Sequence, residues 1–206
     1  MLKCWKTVGV PDFLLLDSAL NFRVSNRYPR SPGVVIRLCS YYGVQPVFIP
    51  ISEPWRNGVI ERFNDTYNRK FFHRQWFPSY ATLKQQSKIF QQFHNRHHRY
   101  SCLNNKTPLE TIKKENYKPI TLGSNTKLSA LDYVPDGKII LIRFIRSDRK
   151  LDIFGEMFEV PKNLIYSYVK AVIVTDIHQL QVFLDGDLVK TFDYPLCAQK
   201  VESTML

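Results

Sequence analysis

Phe13-Leu14-Leu15-Leu16 is a short apolar run closed by Asp17, which predicts a buried strand with a carboxylate at its C-terminal end. Val34 to Tyr42 has helical spacing and stops at Gly43. Val47-Phe48-Ile49, bounded by Pro46 and Pro50, predicts a second strand. From Asn57 the apolar positions recur at Ile60, Phe63, Tyr67 and Phe71, predicting a helix to about Arg74 with Asn57 as its N-cap. Glu61 falls in the first turn of that helix, off the apolar stripe and near the positive end of the helix dipole. Pro78-Ser79 opens a second helix, capped by Ser79, with Leu83, Phe90 and Phe93 on its buried side. It ends in His94, Arg96, His97, His98 and Arg99. His94 and His98 are four apart, but no cysteine or carboxylate follows at zinc-ligand spacing. A basic helix end favoured by the dipole is the expected reading.

The pattern changes after a stretch rich in Pro, Gly and small polar residues between Asn116 and Leu128. Ile139 to Ile145, Leu151 to Phe158, Val169 to Val174, Leu180 to Leu184 and Leu188 to Phe192 read as strands. Asp136-Gly137 marks a turn before the first, and Asp185-Gly186 has the spacing of a tight type I′ hairpin. Short strands in succession predict a small antiparallel, barrel-like β-domain. The expected division is therefore 1–118, a linker at 119–128, and a β-domain at 129–206.

Charge sharpens that division. Residues 1–118 carry 19 Lys/Arg against 7 Asp/Glu, whereas 119–206 carry 10 against 11. The basic half calls for a polyanionic partner, and the near-neutral half for a protein-contact or scaffold role. Arg23, Arg27 and Arg30 surround Tyr28 in a polar stretch after Asp17; such a loop either grips phosphates or is simply solvated. Cys4, Cys39, Cys102 and Cys197 are far apart, the pattern of structural thiols in a reducing compartment. The N-terminus lacks the apolar core of a signal peptide, and no apolar run approaches the ~20 residues of a membrane span. A cytoplasmic protein with no membrane partner is expected.

Two carboxylates placed on a strand end and a helix start, in the order strand, helix, strand, loop, helix, suit Mg²⁺ or Mn²⁺, which prefer oxygen donors. The run Glu53-Pro54-Trp55-Arg56-Asn57-Gly58-Val59-Ile60-Glu61-Arg62-Phe63-Asn64 is the most specific of the motifs. With Asp17, Phe22, Pro46 to Pro50, and Phe93-His94-Asn95-Arg96 through Thr107-Pro108, it resembles the second half of the DDE-type integrase core of insertion-sequence transposases and retroviral integrases. The resemblance covers about residues 10 to 118. It implies an α/β ribonuclease H-like core in which Asp17 is the second and Glu61 the third of three carboxylates holding two metal ions. It also implies DNA contacts from the face of the Glu61 helix, with Arg56, Asn57, Arg62, Asn64, Asn68, Arg69 and Lys70 as candidates beside Arg23, Arg27 and Arg30.

The sequence departs from that family in three places. Ser18-Ala19 follow Asp17 where Asn-Gly is usual, Arg23 to Gly33 reads as an inserted basic loop, and only 16 residues precede Asp17. The strand bearing the first aspartate is thus expected outside this chain, leaving an N-terminally incomplete core. The function expected from the resemblance is DNA transposition or integration: a DNA-binding C-terminal portion of a prokaryotic strand transferase acting on transposon ends and target. It would associate with itself or with an upstream polypeptide from an adjacent reading frame. The alternative is a catalytically dead DNA-binding remnant.

Overall fold

The computed structural model describes residues 1–18, 22, 30–51, 53–114, 122 and 136–196. The helices are α1 (Leu2–Val8), α2 (Val34–Tyr41), α3 (Gly58–Lys70), α4 (Tyr80–His97) and α5 (Pro108–Lys114). The strands are β1 (Phe13–Leu16), β2 (Gln45–Phe48), β3 (Lys138–Phe144), β4 (Lys150–Ile153), β5 (Glu156–Glu159), β6 (Tyr168–Val174), β7 (Gln179–Leu184) and β8 (Asp187–Asp193). Two compact units result: Met1–Arg56 together with Ile120–Leu206, and Asn57–Pro119.

The first unit is built on a six-stranded mixed sheet in the order β1-β2-β3-β6-β7-β8. β1 and β2 are parallel, with Leu16 opposite Phe48; β2 and β3 are also parallel, with Phe48 opposite Leu141. From β3 onward all neighbours are antiparallel. The strands expected to form a separate barrel-like domain therefore continue the N-terminal sheet, and among the described residues they close no barrel. Strand β3 shows the reason. Its Ile139 and Leu141 join the main core with Phe48, Ile173 and Leu180, while Ile140 packs on the opposite face with Val172 and Val174. A strand apolar on both faces has to lie inside a sheet, and β2 supplies the neighbour it needs on one side. The division drawn from sequence at 119–128 falls mostly outside the described residues. It differs from the units seen here in separating β1 and β2 from β3.

Several elements depart from their expected form. β1 is not a buried strand: Phe13 and Leu15 are exposed, and only Leu16 is buried. Leu151 to Phe158 is not one strand but a hairpin, β4 paired with β5, that turns at Phe154 and Gly155, both with positive φ. The Asp185-Gly186 hairpin has positive φ at both residues, as a type I′ turn requires.

The second unit is helical. α3 and α4 pack through an aromatic ladder in which Tyr67 meets Phe90 at 5.5 Å, Phe71 meets Phe90 at 5.1 Å, and Phe63 meets His94 at 5.3 Å between ring centroids. The Tyr67 and Ser87 hydroxyls hydrogen-bond at 2.8 Å across the same pair. Ser79 caps α4 by accepting from the Thr82 amide at 3.2 Å. α5 begins with a capping box: Glu110 accepts from the Thr107 amide, and the Thr107 hydroxyl accepts from the Glu110 amide.

Candidate active site and nucleic-acid interface

Asp17 follows the last residue of β1 and is exposed. The ends of β1 and β2 are knit together beside it. The Ile49 amide donates to the Leu16 carbonyl at 3.0 Å, and the Ser18 hydroxyl donates to the Ile49 carbonyl at 3.3 Å. Arg143 reaches the same carbonyl from β3. Its guanidinium is buried and donates to the backbone carbonyls of Ile49 (3.1 Å), Ile142 (2.9 Å) and Asp152 (3.0 Å). Nothing in the sequence flagged Arg143, an arginine placed inside the apolar run Ile139 to Phe144.

Glu61 lies exposed in the first turn of α3, as expected. The helix start differs from expectation, because Asn57 makes no side-chain cap and a 3₁₀ turn over Pro54–Asn57 leads into Gly58 instead. α3 also stops earlier, at Lys70, with a 3₁₀ turn over Phe72–Arg74. Ile60 is exposed rather than part of the buried stripe, which consists of half-buried Phe63 and Tyr67 and buried Phe71. Phe93, expected on the buried side of α4, is 62% exposed; the buried position there is His94.

Besides Asn57, which is half-buried ahead of α3, the candidate DNA contacts fall into three groups. Arg23 and Arg27 lie outside the described residues. Arg30 and Arg56 are engaged within the first unit. Arg30 forms a forked ion pair with Glu156 and lies over the Tyr194 ring, while Arg56 pairs with Glu53 and lies 4.7 Å over the Tyr168 ring. The hydrogen bond from Arg56, followed by that from Tyr168, holds the Glu53 carboxyl below its ordinary range. In the third group, Arg62, Asn64, Asn68, Arg69 and Lys70 are exposed along α3, and Arg69 is paired with Asp65. Asn64 and Asn68 follow Glu61 by three and seven positions and share its face.

Asp17 and Glu61 have the hard oxygen donors that Mg²⁺ or Mn²⁺ take. They lie in different units, however, and among the described residues no three His, Cys, Asp or Glu side chains gather into a metal-holding group. Cys4, Cys39 and Cys102 are free thiols; burial pushes the Cys39 thiol up to about 12. No helix among the described residues is long and apolar enough to cross a membrane.

Residues 42–108 match the family described as integrase core domain. That match supports a DDE transposase/integrase-like core with a ribonuclease H-like fold. It takes in β2, all of α3 with Glu61, and α4, and it leaves Asp17 outside. The match supports a transposase/integrase-type role in DNA integration in general terms; domains of that family act on DNA and generally use divalent metals. No curated protein matches the chain.

Proposed function

We propose that this chain is the C-terminal portion of a DDE strand transferase of an insertion-sequence type. Residues 1–118 bind DNA, and Asp17 and Glu61 contribute two donors to a Mg²⁺ or Mn²⁺ site that another polypeptide segment or a second copy completes. Residues 119–128 serve as a linker in this reading, and 129–206 as a protein-contact or scaffold region. The protein acts in the cytoplasm, where the DNA is. The observation that carries the reading is the integrase-core match over 42–108, and the exposure of Glu61 in the first turn of α3 supports the role proposed for it. The surplus of 19 Lys/Arg over 7 Asp/Glu in 1–118 supports DNA as the ligand.

The test is nicking of a transposon-end duplex by the chain alone, with Mg²⁺ or Mn²⁺, in wild type, Asp17→Asn and Glu61→Gln. No metal-dependent nicking is expected, because in-line displacement between two metals needs both ions held together. Nicking by wild type that either substitution abolishes would contradict the shared site and show a complete one.

A further inference from the structure

Within the helical unit a cleft of about 380 Å³ opens between α3 and α4, lined by Thr66, Lys70, Arg74, Phe93, His94 and His98 among others. None of the described residues that line it is acidic. Among the described residues neither Lys70 nor Arg74 has a carboxylate partner. Arg74 is oriented by one hydrogen bond, from its Nε to the Arg69 carbonyl at 3.1 Å, which leaves its two terminal nitrogens for a ligand. His94, only 4% exposed, is held by the Tyr100 hydroxyl at 2.8 Å from its Nε2, and the His98 ring stacks on it at 4.7 Å. The His98 imidazole has no hydrogen-bond partner among the described residues. The cleft thus gathers two permanent cations and two imidazoles beside an exposed phenylalanine face, with no built-in counter-charge.

We propose that this cleft is a binding site for a phosphate group, with Lys70 and Arg74 as the charged contacts, His98 as a further donor, and Phe93 as the apolar wall for the attached sugar or base. Arginine and lysine supply charge-assisted donors to phosphate oxygens, and the volume lies within the range of small-ligand pockets. The proposal rests on the DNA reading for the source of the phosphate, a nucleic-acid backbone, and goes beyond it in naming a site away from the carboxylates.

Proton linkage gives the site a signature. Burial holds both histidines below their ordinary range; His98 and Lys70 add to this for His94, and Lys70 for His98. The charged or titratable groups facing the imidazoles are Lys70 from α3, Arg74 from the turn after it, and Tyr100 from the segment after α4. Both imidazoles are therefore neutral near pH 7 in the free protein. A phosphate in the cleft favours the imidazolium, so binding takes up protons and tightens as pH falls through the imidazole range.

The test follows the histidine Cε1–H signals of the full chain by NMR between pH 5 and 8. It is run alone, with a short duplex of arbitrary sequence, and with inorganic phosphate, while anisotropy records duplex binding. The expected result is an upward shift of the His98 midpoint by about one unit on adding duplex, the size produced by a counter-charge within about 4–6 Å. Lys70→Gln and Arg74→Gln should each lower the salt slope of duplex affinity by about 1. Duplex binding that leaves His98 and both salt slopes unchanged overturns the site while the DNA reading stands. A His98 shift with inorganic phosphate but no duplex binding keeps the phosphate site and removes nucleic acid as its source. Absence of both effects overturns the site and the DNA reading together.

Discussion

The Tyr168 hydroxyl on β6 donates a 2.7 Å hydrogen bond to the Glu53 carboxylate in the segment that follows β2. The two residues are 115 positions apart in the chain. Arg56 completes the contact by pairing with Glu53 and lying over the Tyr168 ring. The contact fastens the segment that precedes α3 to the antiparallel part of the sheet, and it turns Arg56, a candidate DNA contact by sequence, into part of a structural clamp.

Acid should open that clamp. Because Arg56 and Tyr168 depress the folded-state pKa of Glu53, its contribution is present above the unfolded value and is lost as pH falls through the folded value. A carboxyl-carbon NMR titration of Glu53 should give a midpoint below 4.5 in wild type, moving back up in Arg56→Gln and, by less, in Tyr168→Phe. An unchanged midpoint in Arg56→Gln would mean that the clamp is absent in solution.

Arg143→Met should destabilise the sheet unit by about 2–4 kcal/mol, since it leaves the carbonyls of Ile49, Ile142 and Asp152 without this donor in a buried setting. Denaturant unfolding followed by circular dichroism measures it. A loss under about 0.5 kcal/mol, the range of ordinary surface substitutions, would contradict the contacts described.

Cutting at 119–128 should not release an independent C-terminal domain. β2 pairs with β3 through Val47–Ile140 and Phe48–Leu141, and Phe48 is fully buried among side chains of β3, β6 and β7. After limited proteolysis the two fragments should co-elute under native conditions and part only in denaturant. Separate native elution would instead favour the division drawn from sequence.

What the sequence revealed were the local rules. Ser79 ahead of α4, Asp185-Gly186 between β7 and β8, and Glu61 in a helix start each depend on a few adjacent residues with one preferred geometry. The Thr107-Pro108-Leu109-Glu110 capping box carried the same kind of signal and could have been read from its spacing. The parallel pairing of β2 with β3 could not, because it joins residues about 90 positions apart and no local pattern encodes a partner. Phe13 and Leu15 read as buried because an apolar run alone does not say whether a strand lies inside a sheet or at its edge. The same limit applies to His94. On α4 it shares a face with Phe90, and the aromatic ladder with α3, not its own polarity, decides that it is buried.

DNA binding by the segment with the integrase-core match is measured by anisotropy titration of a labelled duplex with the full chain at rising salt. With half a dozen phosphates neutralised, affinity should fall by about 10³ or more between about 50 and 200 mM salt. Arg62→Gln and Lys70→Gln should each lower the salt slope by about 1, while Lys138→Gln and Lys162→Gln, exposed on the near-neutral part, leave it unchanged. Affinity that ignores salt, or a slope that falls only with the Lys138 and Lys162 substitutions, would rule out DNA binding through residues 1–118.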